Sequence, residues 1–192
     1  MRADKLPEGW VWCKLGEICN VQSGVGFPLT YQGKSTGELP FVKVSDISKA
    51  FLSNGGRLQT SENYISFQEA RELNAKIFPK GTVLFAKIGE AVKLNRRCIS
   101  LVDVVADNNV MGLVPREEAV NTVFLLNFMK TVDLYKYTSA TTVPSVRKAK
   151  VEEITVSLPP LPEQRLIVHR VEVLLERVKK SKEWLDKVPQ II

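Results

Sequence analysis

Leu158-Pro159-Pro160-Leu161-Pro162-Glu163-Gln164 divides the sequence into two unlike parts. Pro159, Pro160 and Pro162 cannot lie inside a helix, because each lacks an N–H and clashes with the preceding turn. A proline suits the first helical positions, and a carboxylate such as Glu163 suits the positive end of the helix dipole. The pattern therefore predicts a helix from Glu163 to Val188. Its apolar residues Ile167, Val171, Leu174, Val178, Leu185 and Val188 follow steps of 4, 3, 4, 7 and 3, a heptad seam with Ser181 in its gap. Leu166, Leu175 and Trp184 widen the stripe, while Arg170, Glu172, Arg177, Lys179, Lys180 and Glu183 keep the remainder wet. The seam needs an apolar partner, either the helix's own domain or a second helix. The stiff proline joint favours the second.

The chain has 192 residues, 44% of them hydrophobic, enough for one real core plus an appendage. No apolar run approaches the roughly 20 residues that span a bilayer. The opening Met1-Arg-Ala-Asp-Lys-Leu-Pro-Glu-Gly-Trp10 does not resemble a secretion signal, so the expectation is a cytoplasmic protein without a membrane partner. Cys13, Cys19 and Cys98 lack the paired spacing of a zinc site and are expected to be reduced and buried.

The formal net charge of +6 is modest, but its placement is uneven. Between Lys76 and Arg97, the basic residues Lys76, Lys80, Lys87, Lys93, Arg96 and Arg97 stand against Glu90 alone. Between Thr141 and Lys150, Arg147, Lys148 and Lys150 face no acid. Clustered positive charge on a near-neutral chain is the footprint of a polyanion partner, or of a solvated basic face.

Ahead of the prolines the pattern predicts short strands with irregular connections. Lys14 to Val21 reads as a helical turn followed by a strand, and Leu39 to Ile47 as a strand. Asn54-Gly55-Gly56 marks a turn. Ser66 to Asn74 is a short helix with Ser66 as cap and Glu69 completing a capping box. Thr82 to Ile88 is the clearest strand, followed by Arg97 to Val102 and Val110 to Val114. Asn121 to Tyr137 reads as one helix with Phe124, Leu125, Phe128, Val132 and Tyr135 along a single side. Thr138 to Pro144 is a loop, and Ile154 to Leu158 a last strand.

Little supports catalysis. His169 is the single histidine and lies in the seam helix, so no Ser-His-Asp set is available elsewhere. Gly24 and Gly26 fail the dinucleotide fingerprint, because position 29 is Leu and no long helix follows. There is no phosphate-cradling GxxxxGK[ST] loop, and the acidic residues are scattered rather than grouped for Mg²⁺. The residues point to a binding module that needs no cofactor of its own.

Several stretches taken in order resemble a known family. They are Leu6-Pro-Glu-Gly-Trp10 with Lys14-Leu-Gly-Glu-Ile18, Gly37-Glu-Leu-Pro-Phe-Val-Lys-Val-Ser-Asp-Ile47, and Pro79-Lys-Gly-Thr-Val-Leu-Phe-Ala-Lys-Ile-Gly-Glu90. Asp107-Asn-Asn-Val-Met-Gly112, Val143-Pro-Ser-Val-Arg-Lys148 and Ile154-Thr-Val-Ser-Leu-Pro-Pro-Leu-Pro-Glu-Gln-Arg-Leu-Ile-Val168 follow. Together they resemble half of a DNA-specificity (S) subunit of Type I restriction–modification enzymes. The departure is length: subunits of ordinary size resemble two such units in tandem, with their helices paired as an antiparallel coiled coil. A helix from Glu163 to Val188 would measure about 39 Å at ~1.5 Å per residue, close to one turn of B-DNA at about 34–36 Å.

The resemblance implies an α+β fold. Residues 1–158 would form a compact target-recognition domain with a twisted, mostly antiparallel β-sheet and short helices. Residues 159–192 would form a long C-terminal coiled-coil helix that also docks partner subunits. It further implies a non-catalytic reader of one half of a split target in double-stranded DNA. The partners would be methyltransferase (M) subunits carrying S-adenosylmethionine and ATP-using restriction (R) subunits. Candidate DNA contacts are Lys43, Lys87, Lys93, Arg96, Arg97, Asn108, Thr141, Thr142, Ser145, Arg147 and Lys148, residue types that bond base edges or phosphates. Ile167, Val171, Leu174, Val178 and Leu185 are the candidate interface, through which the helix would pair either with a second copy as an antiparallel homodimer or with the remainder of a longer chain of which this sequence is the N-terminal piece. Two other classes remain open: a fragment that itself cleaves or modifies DNA, and a coiled-coil adaptor that binds no nucleic acid.

Overall fold

The computed structural model describes residues 5–139 and 143–186 and gives them a mixed α+β architecture. The chain opens with β1 (Val11–Lys14), α1 (Leu15–Ile18), β2 (Cys19–Ser23), β3 (Leu39–Val42) and α2 (Val44–Ser53). It continues through β4 (Arg57–Leu58), β5 (Tyr64–Ile65), α3 (Phe67–Glu72), β6 (Val83–Ala86), β7 (Arg97–Ser100), β8 (Val105–Ala106) and β9 (Val110–Pro115). The last elements are α4 (Thr122–Thr131), β10 (Thr138–Ser139), β11 (Ser145–Val146), α5 (Lys148–Glu152), β12 (Thr155–Leu158) and α6 (Leu161–Leu185).

A five-stranded sheet of order β2-β9-β6-β7-β4 forms the centre, antiparallel except for β4 beside β7. A three-stranded sheet, β5-β3-β8, flanks it, with β3 and β8 parallel. Two antiparallel ribbons, β1 with β12 and β10 with β11, complete the pairing. Most ladders are antiparallel, as the family resemblance implies.

Period-two alternation explains why both faces of the central sheet are dry. Val83 and Phe85 point into one cluster with Met111, Leu113, Phe124, Leu125 and Val156, while Leu84 points into a second with Ile47, Phe78, Cys98 and Val110. Burying each such large apolar side chain contributes about 1.5–3 kcal/mol. Gly112 permits a close approach within the core: a Cβ there would stand 2.6 Å from the Phe78 ring. Cys19 and Cys98 are buried and Cys13 half-buried, all three unpaired. Burial pushes the Cys19 thiol up to about 12 and the Cys98 thiol further, so both stay protonated and serve as apolar filler.

The Ser66 capping box forms as expected, with Glu69 N–H donating to Ser66 Oγ at 3.1 Å and Ser66 N–H to Glu69 Oε2 at 2.8 Å. Three expectations need correction. The strand expected over Leu39 to Ile47 stops at Val42, because Asp46 accepts the Lys43 N–H at 2.7 Å and starts α2. The helix expected over Asn121 to Tyr137 ends at Thr131, where Asn95 Nδ2 (3.0 Å) and Arg97 Nη2 (2.9 Å) both donate to the Val132 carbonyl. Beyond it Asp133 caps a separate 3₁₀ turn at Leu134–Tyr137, which leaves Tyr135 exposed rather than on a buried helix side. The segment Thr138 to Pro144, expected as a loop, contributes Thr138–Ser139 to a ribbon.

The terminal helix begins at Leu161, with Pro162 in its first turn; Val188 lies outside the described residues. Gln164 is fully buried at its base. Its Oε1 accepts the Asn121 N–H at 2.8 Å, and its Nε2 donates to Pro159 O at 2.8 Å and Ala119 O at 3.0 Å. One amide thus ties the proline joint, the start of α4 and the start of α6 together. Among the described residues, no helix is long and apolar enough to cross a membrane.

Candidate nucleic-acid interface

Sheet register gathers most of the candidate contacts at one end of the molecule. Ser23 pairs with Met111, Ala86 with Val110, and Phe85 with Arg97, so β2 and β6 end where β7 and β9 begin. The parallel pair β3–β8 ends beside them at Val42 and Ala106. These six strands therefore deliver a following or preceding loop to the same edge, which places Ser23, Lys43, Lys87, Arg96 and Asp107-Asn108-Asn109 together.

Backbone bonds then lock the edge. Lys87 N–H donates to Asn109 O at 2.9 Å, Val146 N–H to Lys87 O at 2.8 Å and Gly89 N–H to Pro144 O at 2.8 Å, while Asp107 N–H donates to Val42 O at 2.9 Å. Ile88 and Ser145 form an isolated bridge, so the second basic stretch of the sequence reaches the same edge as the first. Gly24 passes so close to β8 that a Cβ would lie 2.2 Å from the carbonyl oxygens of Ala106 and Asp107.

The side chains differ in what they have free. Lys87 is half-buried and donates to Ser23 Oγ at 3.1 Å. Burial holds its ammonium below the usual lysine range, against the upward pull of Asp107. Lys43 donates to Gln32 Oε1 at 2.8 Å and lies 5.1 Å above the Phe27 ring, which stacks on Phe41. Lys93 is exposed, paired with Glu90 at 2.9 Å and 5.2 Å from the Tyr135 ring centroid. The bond to Glu90 raises its ammonium above the usual value. Asn108 and Arg147 are exposed, Arg96 and Ser145 half-exposed, and Lys148 is exposed with Glu152 3.5 Å away. Thr141 and Thr142 lie outside the described residues.

Arg97 is a correction. It is 1% exposed, with Nη2 bonded to Asn95 Oδ1 at 2.5 Å and to Val132 O at 2.9 Å, so its guanidinium cannot reach a phosphate. Burial pushes it down to about 10, still charged at neutral pH. Its role is internal. Conversely, Ser23, Gln32 and Tyr135 join the edge without a sequence signal. Only tertiary pairing brings Ser23 and Gln32 under Lys87 and Lys43, and Tyr135 under Lys93.

The helix seam is likewise divided. Ile167 packs against the domain's larger cluster with Val168, and Val171 is half-buried, whereas Leu174, Val178 and Leu185 are 58%, 64% and 70% exposed. Glu172 reaches Arg57 of β4 at 3.8 Å, so the first half of α6 lies along its own domain. His169 is exposed on this helix. Among the described residues no group of three or more His, Cys, Asp or Glu could hold a metal.

A sequence model of the family described as "Type I restriction modification DNA specificity domain" matches residues 7–189. The chain is 22% identical to the Type I restriction enzyme EcoKI specificity subunit of Escherichia coli K12, covering 100% of this chain and 42% of that protein. It is 24% identical to the MjaIX specificity subunit of Methanocaldococcus jannaschii, covering 97% of this chain and again 42% of the relative. Among solved structures it superposes on the HsdS subunit from Thermoanaerobacter tengcongensis with a TM-score of 0.69 at 20% identity, over 95% of this chain and 41% of that one. A chain from a structure of a type I R-M system gives 0.73 at 21% identity, over 95% and 42%. At these identities the superpositions establish the fold. The chain spans about two fifths of the length of the proteins it matches.

Proposed function

Because the chain belongs to the Type I restriction–modification DNA specificity family, we propose that it reads one half of a bipartite DNA target and performs no chemistry itself. The observation that carries this reading is the convergence of Lys43, Lys87, Arg96, Asn108 and Ser145 on one sheet edge, with Arg147 and Lys148 following Ser145 into α5. Lysine and arginine there neutralise phosphates and set register, while Asn108 and Ser145 offer bonds to base edges. The open half of the seam, Leu174, Val178 and Leu185, supports pairing of α6 with a second helix, from another copy or from another specificity unit. The paired helices would hold two recognition surfaces apart and dock methyltransferase and restriction subunits, as the family resemblance implies.

The test is the salt dependence of DNA binding. Log affinity should fall linearly with log salt, by about 0.9 for each phosphate neutralised. Replacing both Arg147 and Lys148 by Ala should flatten that line by up to about 1.8 without altering the fold, since both side chains are exposed. An unchanged slope would place the phosphate contacts elsewhere. Absence of salt-sensitive binding in the wild type would leave only the helix as a functional surface, the adaptor reading.

A further inference from the structure

Leu29 is 84% exposed, more than any other exposed large apolar side chain among the described residues. A single exposed leucine is ordinary; what sets this one apart is how firmly its backbone is held. It opens a 3₁₀ turn, Leu29–Tyr31, in which Tyr31 N–H donates to Pro28 O and Gln32 N–H to Leu29 O, both at 3.1 Å. Gln32 closes the loop with its side chain, Nε2 donating to Phe27 O at 2.9 Å and Oε1 accepting from Lys43 Nζ at 2.8 Å. On the other side Tyr31 Oη donates to Glu72 Oε2 at 2.9 Å, Gly33 N–H donates to Asn63 Oδ1 at 3.0 Å, and Lys34 pairs with Glu69. Gly33 takes φ +89° to make the return, a conformation glycine adopts without strain.

Both ends of this loop are anchored to the candidate DNA edge. Val25 bridges Asp107, one residue from Asn108, and Gln32 holds Lys43. The loop therefore presents a bare apolar tip beside a cation and an amide on a surface read as DNA-facing. Because its backbone is already ordered, docking it costs little conformational entropy.

The geometry points to residues 26–33 as a base-reading finger whose tip, Leu29, contacts the 5-methyl group of thymine in the major groove. This assignment rests on the DNA-reading function proposed above. The major groove is about 12 Å wide and displays the thymine methyl as its one apolar feature, matched elsewhere by alanine, threonine-methyl or phenylalanine contacts.

The experiment begins by selecting a target from random duplexes with the whole chain. Each thymine of the selected site is then exchanged for deoxyuridine, which removes only the methyl. The wild type should lose roughly fourfold affinity at one position, the worth of one buried methyl-sized group. Leu29→Ala should bind T and U there alike, with an unchanged salt slope. Leu29→Lys should also be blind to the methyl while steepening the salt dependence, which separates lost reading from lost binding. Full T-over-U discrimination in Leu29→Ala, or none at any position in the wild type, overturns the assignment. So does a permanganate-reactive thymine that appears with the wild type alone, since that marks a wedge between base steps. A wild type that selects no sequence overturns the DNA reading itself.

Discussion

Arg97 shows how far one residue's role depends on where its strand lies. At the start of a four-residue strand its neighbour Arg96 is half-exposed, while its own guanidinium is sealed between Asn95 and the end of α4. Asn95 is the centre of that junction. It adopts φ 53°, donates to Val132 O and accepts from Arg97. Arg97→Met should therefore be mild, within about 1.5 kcal/mol, because Val132 O keeps its bond from Asn95 and a desolvated charge is removed. Asn95→Ala should cost more, about 2–3 kcal/mol, because it removes one of the two partners of the buried guanidinium and puts alanine at a left-handed φ of 53°. Urea denaturation of the two variants checks the order, and Arg97→Met should leave the salt slope of DNA binding untouched. Gln164→Leu keeps the side-chain volume but orphans Asn121 N–H, Ala119 O and Pro159 O. A loss of at least about 3 kcal/mol is expected, the low end of about 1–3 kcal/mol for each of three orphaned groups, since two of them are only partly buried. The midpoint of thermal unfolding reports it.

At the scale of elements, α6 serves two surfaces in succession. Its first turns are joined to the domain through Gln164, Ile167 and Val168, and its later turns expose Leu174, Val178 and Leu185. Replacing Leu174 and Val178 by Asp should leave the unfolding of a single chain almost unchanged, because both are more than half exposed there. It should abolish helix pairing, since two unpaired charges in a seam cost several kcal/mol. Sedimentation equilibrium, with urea unfolding alongside, measures both. Ile167→Asp is the contrast: it should destabilise the fold itself. A wild type that stays monomeric at high concentration would assign the seam to another chain's helix.

The described residues hold one candidate DNA edge and a terminal helix of 25 residues, about 38 Å at 1.5 Å per residue. That is close to one turn of B-DNA, about 34–36 Å. Antiparallel pairing of identical copies is isologous, so each copy would present the same loops to its own half-site. Selection from random duplexes should then yield two inverted copies of one short motif with a constant gap. Lengthening α6 by one heptad should widen that gap, while an enriched site with two unlike halves would show that the second reader is a different sequence.

Much of this was legible before any coordinates. The proline joint predicts the start of α6 to within two residues, because proline's missing N–H acts locally. The Ser66–Glu69 box and the run from Thr82 declare their helix and strand for equally local reasons. Heptad spacing reveals that the helix carries an apolar stripe, but not that its first half is covered by the chain's own domain. The boundary at Val42 is misread because Val42, Val44 and Ile47 suit a strand's composition, and only the Asp46 cap turns Val44 and Ile47 into helix. Basic clustering is visible in sequence, yet charge has no address there. Arg96 and Arg97 are identical in the sequence and opposite in the structure, because strand pleating sends one outward and the other to Asn95. Ser23, Gln32, Lys43, Lys87 and Asn108 become neighbours only when strands far apart in the chain pair in register. Local chemistry thus determined the elements and the joint, and long-range pairing decided which side chains share a surface.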